Sequence, residues 1–141
     1  MRRGSRRSTL ATIVFPSVLS LLTAGTVVWL MPLAPEGVVM QWWDGRPSRY
    51  ASPAELLVMP ACALLVIILG QVAARAWNRR EARLGLAIVN GVNATLNVFA
   101  VSLLVGQLEG SASKIVPVIA IGISFLAGVL VAVGTFLSTR E

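Results

Sequence analysis

The sequence predicts an all-α membrane protein: a four-helix transmembrane bundle with both termini in the cytoplasm. A short β-prone extracytoplasmic loop joins helices one and two. Three observations predict this. The 141 residues are 56% hydrophobic and only 13% charged, where a soluble domain carries about a quarter charged residues. Four apolar runs are each long enough to span a hydrocarbon core. The basic residues gather on alternate links between those runs.

The runs are residues 10–31, 56–77, 84–108 and 115–137, within a single polytopic domain. Inside lipid every backbone N–H and C=O must be satisfied within its own segment, so each run must be a helix despite its Val and Ile content. Residues 32–55 form a long outer link, 78–83 a short inner one and 109–114 a short outer one. Short links make sequential helices antiparallel neighbours. Arg2, Arg3, Arg6, Arg7, Arg75, Arg79, Arg80, Arg83 and Arg140 put nine basic residues on one side, against Arg46, Arg49 and Lys114, three, on the other. Arginine bias therefore places both termini and the middle link in the cytoplasm, in the inner membrane of a bacterial cell. Trp29 and Trp77 fall where interfacial aromatics belong, and Pro16 lies deep enough in the first run to bend its helix.

The segment Ser5-Arg6-Arg7-Ser8-Thr9-Leu10 resembles a twin-arginine export signal. Three further spans follow it instead of a soluble passenger, so the cluster reads as an orientation signal. The first run reads as an uncleaved helix, being long for a signal peptide and followed by Ala34-Pro35. The net charge of +6 comes from these flanking clusters and lacks the aromatic-interleaved basic surface of a nucleic-acid binder. With no histidine and one cysteine, Cys62, a zinc site of N and S ligands is excluded. Cys62 itself is expected to be a small buried hydrophobe. No carboxylate lies deep in a run, and there is no phosphate loop or nucleophile–base pair. The chain reads as a non-enzyme without cofactor or metal.

Three features are candidates for function. Asn90, Asn93 and Asn97 fall within about 60° of one another on the third helix. An amide facing lipid is costly, so this face must point into the bundle, either as a polar path or as interhelical hydrogen-bond glue. Asn93-Ala94-Thr95 also spells a glycosylation sequon, which membrane depth rules out of use. In the fourth helix Ala120, Ser124, Gly128 and Ala132 form a ladder of small residues, fit for a homo- or hetero-oligomer interface or for packing within the bundle. In the outer loop, Val38 to Trp43 is a β-prone run ended by the Asp44-Gly45 turn signal. Gln41, Trp42, Trp43, Arg46, Arg49 and Tyr50 there would either seat the loop on the membrane surface or recognise an outside peptide or protein.

That loop resembles the N-terminal part of SdpI-type immunity proteins, a bacterial membrane domain of unknown function. The likeness covers residues 10–77. It rests on Val38-Val39-Met40-Gln41-Trp42, on Gly45-Arg46-Pro47-Ser48-Arg49-Tyr50-Ala51-Ser52-Pro53, and on Pro60 in the next helix. Gln41 stands where the family has a histidine, Ser48 where it has an aspartate, and the turn is one residue shorter. The resemblance implies a polytopic protein that senses or resists an extracytoplasmic factor, without catalysis. In some members it implies a sequestered cytoplasmic repressor, so an acidic partner at Arg79, Arg80 and Arg83 is a further expectation. The competing readings are an accessory subunit of a larger membrane complex and a small oligomeric transporter or channel.

Overall fold

The computed structural model describes residues 9–44, 46–108 and 115–139. A π-helical turn, Leu10–Val14, runs into helix α1, Phe15–Leu30, which ends in a 3₁₀ turn at Met31–Leu33. Strands β1 (Val38–Trp43) and β2 (Arg46–Ala51) follow, then a 3₁₀ turn, Pro53–Leu57, leading into α2, Val58–Ala74. Helices α3 (Arg79–Val105) and α4 (Ile115–Ser138) complete the chain. Among the described residues, four helical segments are long and apolar enough to cross a membrane: Leu10–Leu33, Pro53–Ala74, Arg79–Val105 and Pro117–Ser138. The architecture is that of a multi-pass membrane protein, with a two-stranded antiparallel hairpin at one end. The outward faces of the helices agree: Leu21, Leu22, Ile68, Phe125 and Leu130 are all exposed, a surface that suits lipid.

Helix α3 is the hub. It packs against α1, α2 and α4, whereas α4 packs on α3 and otherwise reaches substantially only the π turn before α1. Burial follows: 44% of the most apolar stretch of α3 is enclosed, against 22% for α4. The helices meet where small residues allow it. A Cβ on Gly70 of α2 would lie 2.6 Å from the Val89 side chain, and one on Gly91 of α3 would lie 2.8 Å from the Gly128 carbonyl oxygen of α4.

The link between α2 and α3 is shorter than the sequence suggests. Residues 78–83 were expected as a loop, yet α3 begins at Arg79. Asn78 caps it: its Oδ1 accepts from the N–H groups of Arg80 (3.1 Å) and Glu81 (3.0 Å), and Glu81 Oε2 accepts from Asn78 N–H at 3.2 Å. This reciprocal cap draws the arginine-rich stretch into the helix. The Ser52–Glu55 pair does the same ahead of α2. Helix α3 closes at Val105, before the expected 108, and α2 at Ala74, before the expected 77. The link 109–114, with Glu109 and Lys114, lies outside the described residues, as do Arg2, Arg3, Arg6, Arg7 and Arg140.

Pro16 has a specific consequence. It offers no N–H to the carbonyl of Thr12, four residues back, or to that of Ala11, five back. Phe15 N–H reaches Leu10 O in the π pattern, which leaves Ala11 O without a helical donor. Both carbonyls take side-chain amides instead. Gln71 Nε2 of α2 donates to Thr12 O at 3.0 Å, and Asn90 Nδ2 of α3 donates to Ala11 O at 2.8 Å. The proline that loosens α1 thus supplies the acceptors that bind it to two neighbours.

Candidate functional site

The hairpin reverses between Trp43 and Arg46. Asp44 takes φ 48°, the left-handed backbone that tight hairpin turns require and aspartate tolerates. Trp43 pairs with Arg46 to close the turn, Val39 pairs with Tyr50 and Val38 with Ala51. The sequence predicted the first strand. It gave no second strand, and Arg46–Ala51 form one, Pro47 included, as an edge strand permits. The register slips between Val39 and Gln41 and again between Gln41 and Trp42. Both slips lie beyond Val38 and Val39, which pair in regular register and are both fully buried.

Burial here is against the bundle. Val38 joins Val27 and Leu30 of α1, Leu56 before α2, and Leu103 and Leu104 of α3 in one apolar cluster, flanked by Met31, Met40, Phe99 and Leu108. Gln107, just beyond α3 and 2% exposed, finishes the attachment. Its Oε1 accepts from Val39 N–H at 2.8 Å, while its Nε2 donates to Val39 O at 3.1 Å and to Leu103 O at 3.3 Å. One side-chain amide therefore satisfies the outward edge of β1 as a neighbouring strand would. Sequence reasoning passed over Gln107. The available signal was an amide at the end of an apolar run.

Away from this seat, the predicted recognition residues whose side chains are described are exposed. Trp43 is 76% exposed and Tyr50 61%, and Gln41, Arg46 and Arg49 are exposed. The side chain of Trp42 lies outside the described residues, though its backbone belongs to β1. Arg49 Nη2 lies 3.2 Å from Glu55 Oε2. A pair this exposed contributes little to stability.

The asparagine row lies within the bundle. Asn90, Asn93 and Asn97 are buried to 1% exposure or less. Asn93 Nδ2 and Asn97 Nδ2 both donate to Ser20 Oγ of α1, at 2.9 and 3.0 Å, and Asn97 Nδ2 also reaches Asn93 O at 2.8 Å. Ser20 Oγ donates in turn to Pro16 O at 3.1 Å. Asn90 Nδ2 adds Thr135 Oγ1 of α4 at 3.2 Å, so the row binds α3 to α1 and α4. The three Oδ1 atoms have no hydrogen-bond partner among the described residues. Turning the amides over would not satisfy both Asn93 and Asn97, because Ser20 has one proton to give. No charged side chain is buried beside the row among the described residues.

The ladder of α4 faces α3: Ala120, Ser124 and Gly128 are buried and Ala132 half-buried. Gly128 lies against Thr95 and Gly91, and Ser124 Oγ bonds back to Ala120 O. Cys62, expected to be buried, is exposed on the outside of α2. The buried face of that helix carries Pro60, Ala63, Ile67 and Gly70, and position 62 lies off it. No cluster of metal-ligating side chains occurs among the described residues. Comparison with protein-family models, with characterised proteins and with solved structures finds no significant match.

Proposed function

We propose that this chain is a non-enzymatic protein of the bacterial cytoplasmic membrane that senses or resists an extracytoplasmic factor through its hairpin. The arginine bias orients that hairpin outward. The reading follows the resemblance to SdpI-type immunity proteins in the same loop. The observation that carries it is that the hairpin is held at one end and exposed at the other. Val38, Val39 and Gln107 fix it to the bundle, while Trp43, Tyr50, Arg46 and Arg49 are exposed. A preorganised surface of aromatic and arginine side chains suits a protein or peptide partner, since little ordering entropy remains to be lost on binding.

Cells carrying the protein are challenged with membrane-active secreted peptides, beside cells carrying a Trp42→Ala, Trp43→Ala, Tyr50→Ala variant. The expected outcome is lost tolerance at an unchanged protein level. Unchanged tolerance at that level counts against the hairpin as the recognition surface.

A further inference from the structure

Between α3 and α4, at the end away from the hairpin, an apolar groove of about 250 Å³ is lined by Leu84, Ala87, Ile88, Ala132, Val133 and Phe136. Its depth comes from the two alanines, whose methyl groups leave room that the larger side chains border. At its mouth stands Arg83. Its guanidinium carbon lies 4.2 Å from the centroid of the Phe136 ring, a cation–π contact that orients the group against the groove wall. Its Nε is buried and has no hydrogen-bond partner among the described residues. Arg80, exposed and one turn earlier on α3, falls on the same side of the helix as Ala87 and Leu84. The nearby acid is engaged elsewhere, because Glu81 closes the cap on Asn78.

Arg83 lies five residues past the Asn78 cap, about 7.5 Å along the helix axis. That is the depth of lipid headgroups when α3 spans the membrane, and the groove continues from there toward the hydrocarbon. We propose that this site binds an anionic phospholipid, with its phosphate on Arg83 and Arg80 and one acyl chain in the groove between α3 and α4. A guanidinium matches phosphate geometry with parallel N–H donors, and basic pockets between transmembrane helices are suited to such headgroups. An acidic protein docking on the arginines would need no apolar slot beside them, so the groove favours lipid.

The test uses the full chain, purified in detergent and mixed with phosphatidylglycerol or with phosphatidylcholine of the same acyl chains. Bound lipid is counted by native mass spectrometry. Phosphatidylglycerol is expected to be retained at one per chain and to raise the unfolding temperature, and phosphatidylcholine and inorganic phosphate are expected to do neither. Arg83→Gln together with Arg80→Gln lowers retention by about tenfold or more, whereas Arg75→Gln, outside the groove, leaves it unchanged. Ala132→Leu fills the groove with every charge intact and also lowers retention. With the unaltered chain, shortening the acyl chains to hexanoyl at constant headgroup weakens binding, whatever the variants do to folding. Equal retention of phosphatidylcholine, equal stabilisation by inorganic phosphate, or retention indifferent to Ala132→Leu and to chain length would each overturn the proposal.

Discussion

Replacing Gln107 with Leu removes the attachment of the hairpin while keeping the side chain's bulk. In the native structure that amide satisfies both Val39 N–H and Val39 O, and Val39 is only 1% exposed. A buried backbone group left without a partner costs about 1–3 kcal/mol, so two such groups cost roughly 2–6 kcal/mol if β1 stays seated. The hairpin can instead lift, giving Val39 to water at the expense of the contacts that Val38 makes with Leu56, Leu103 and Leu104. Either response lowers the free energy of local opening by about 2 kcal/mol or more, roughly a 30-fold rise in the open fraction. Amide hydrogen exchange over residues 38–51 in detergent micelles reads that fraction directly. Expected is exchange about 30-fold faster in this segment, with the middle of α3 unchanged. Gln41→Leu, altering an exposed side chain of the same strand, should leave the rates alone. Segment rates within twofold of the unaltered protein in Gln107→Leu would refute the reasoning and leave apolar contact as the whole of the attachment.

Ser20→Ala removes two buried hydrogen bonds at once, leaving Asn97 Nδ2 only its bond to Asn93 O, and at about 0.6–1.7 kcal/mol per intramembrane hydrogen bond should cost about 1–3 kcal/mol in equilibrium unfolding. A cycle with Asn97→Ala should be clearly non-additive, because the two groups share one bond. Gln71→Leu should destabilise the native chain yet be nearly neutral in a Pro16→Ala background, where residue 16 regains an N–H for Thr12 O; equal costs in both backgrounds would dissociate Gln71 from the proline. Gly128→Val forces a side chain against Gly91 and Thr95 and should cost about 1–3 kcal/mol, while Gly122→Ala, with nothing within 4 Å of its Cβ position, should stay within about 0.5 kcal/mol. Thermal unfolding in a fixed detergent checks both glycines.

The spans were legible because lipid imposes a simple demand, some twenty apolar residues in helical form, and composition alone reveals where that is met. The asparagine face was legible for a similar reason: three amides at helical spacing have only one affordable direction. What the sequence did not reveal depends on partners far along the chain. The amide of Gln107 has meaning only beside Val39, and that of Gln71 only beside the carbonyl that Pro16 leaves open. Neither relation has a local period. The second strand escaped notice because Arg46-Pro47-Ser48-Arg49 carries no β-prone residues, and pairing with β1 overrides that preference. The start of α3 was misplaced because a stretch with five polar residues in six reads as a loop, although Asn78 and Glu81 carry the capping spacing. Cys62 was misassigned because an apolar run has two faces, and its composition does not tell the bundle side from the lipid side.

The lopsided packing of α4 bears on how the molecule comes apart and is put together. Helices α1, α2 and α3 enclose one another and share the apolar seat beneath the hairpin, whereas α4 leans on α3 along a seam of glycine, alanine, serine and threonine. During synthesis the first three passes can close as a unit before the last arrives, leaving Gly91 and Thr95 facing lipid until then. Under a pulling force applied at the C-terminal side, that seam should unzip first and leave a three-pass remnant with its hairpin still in place.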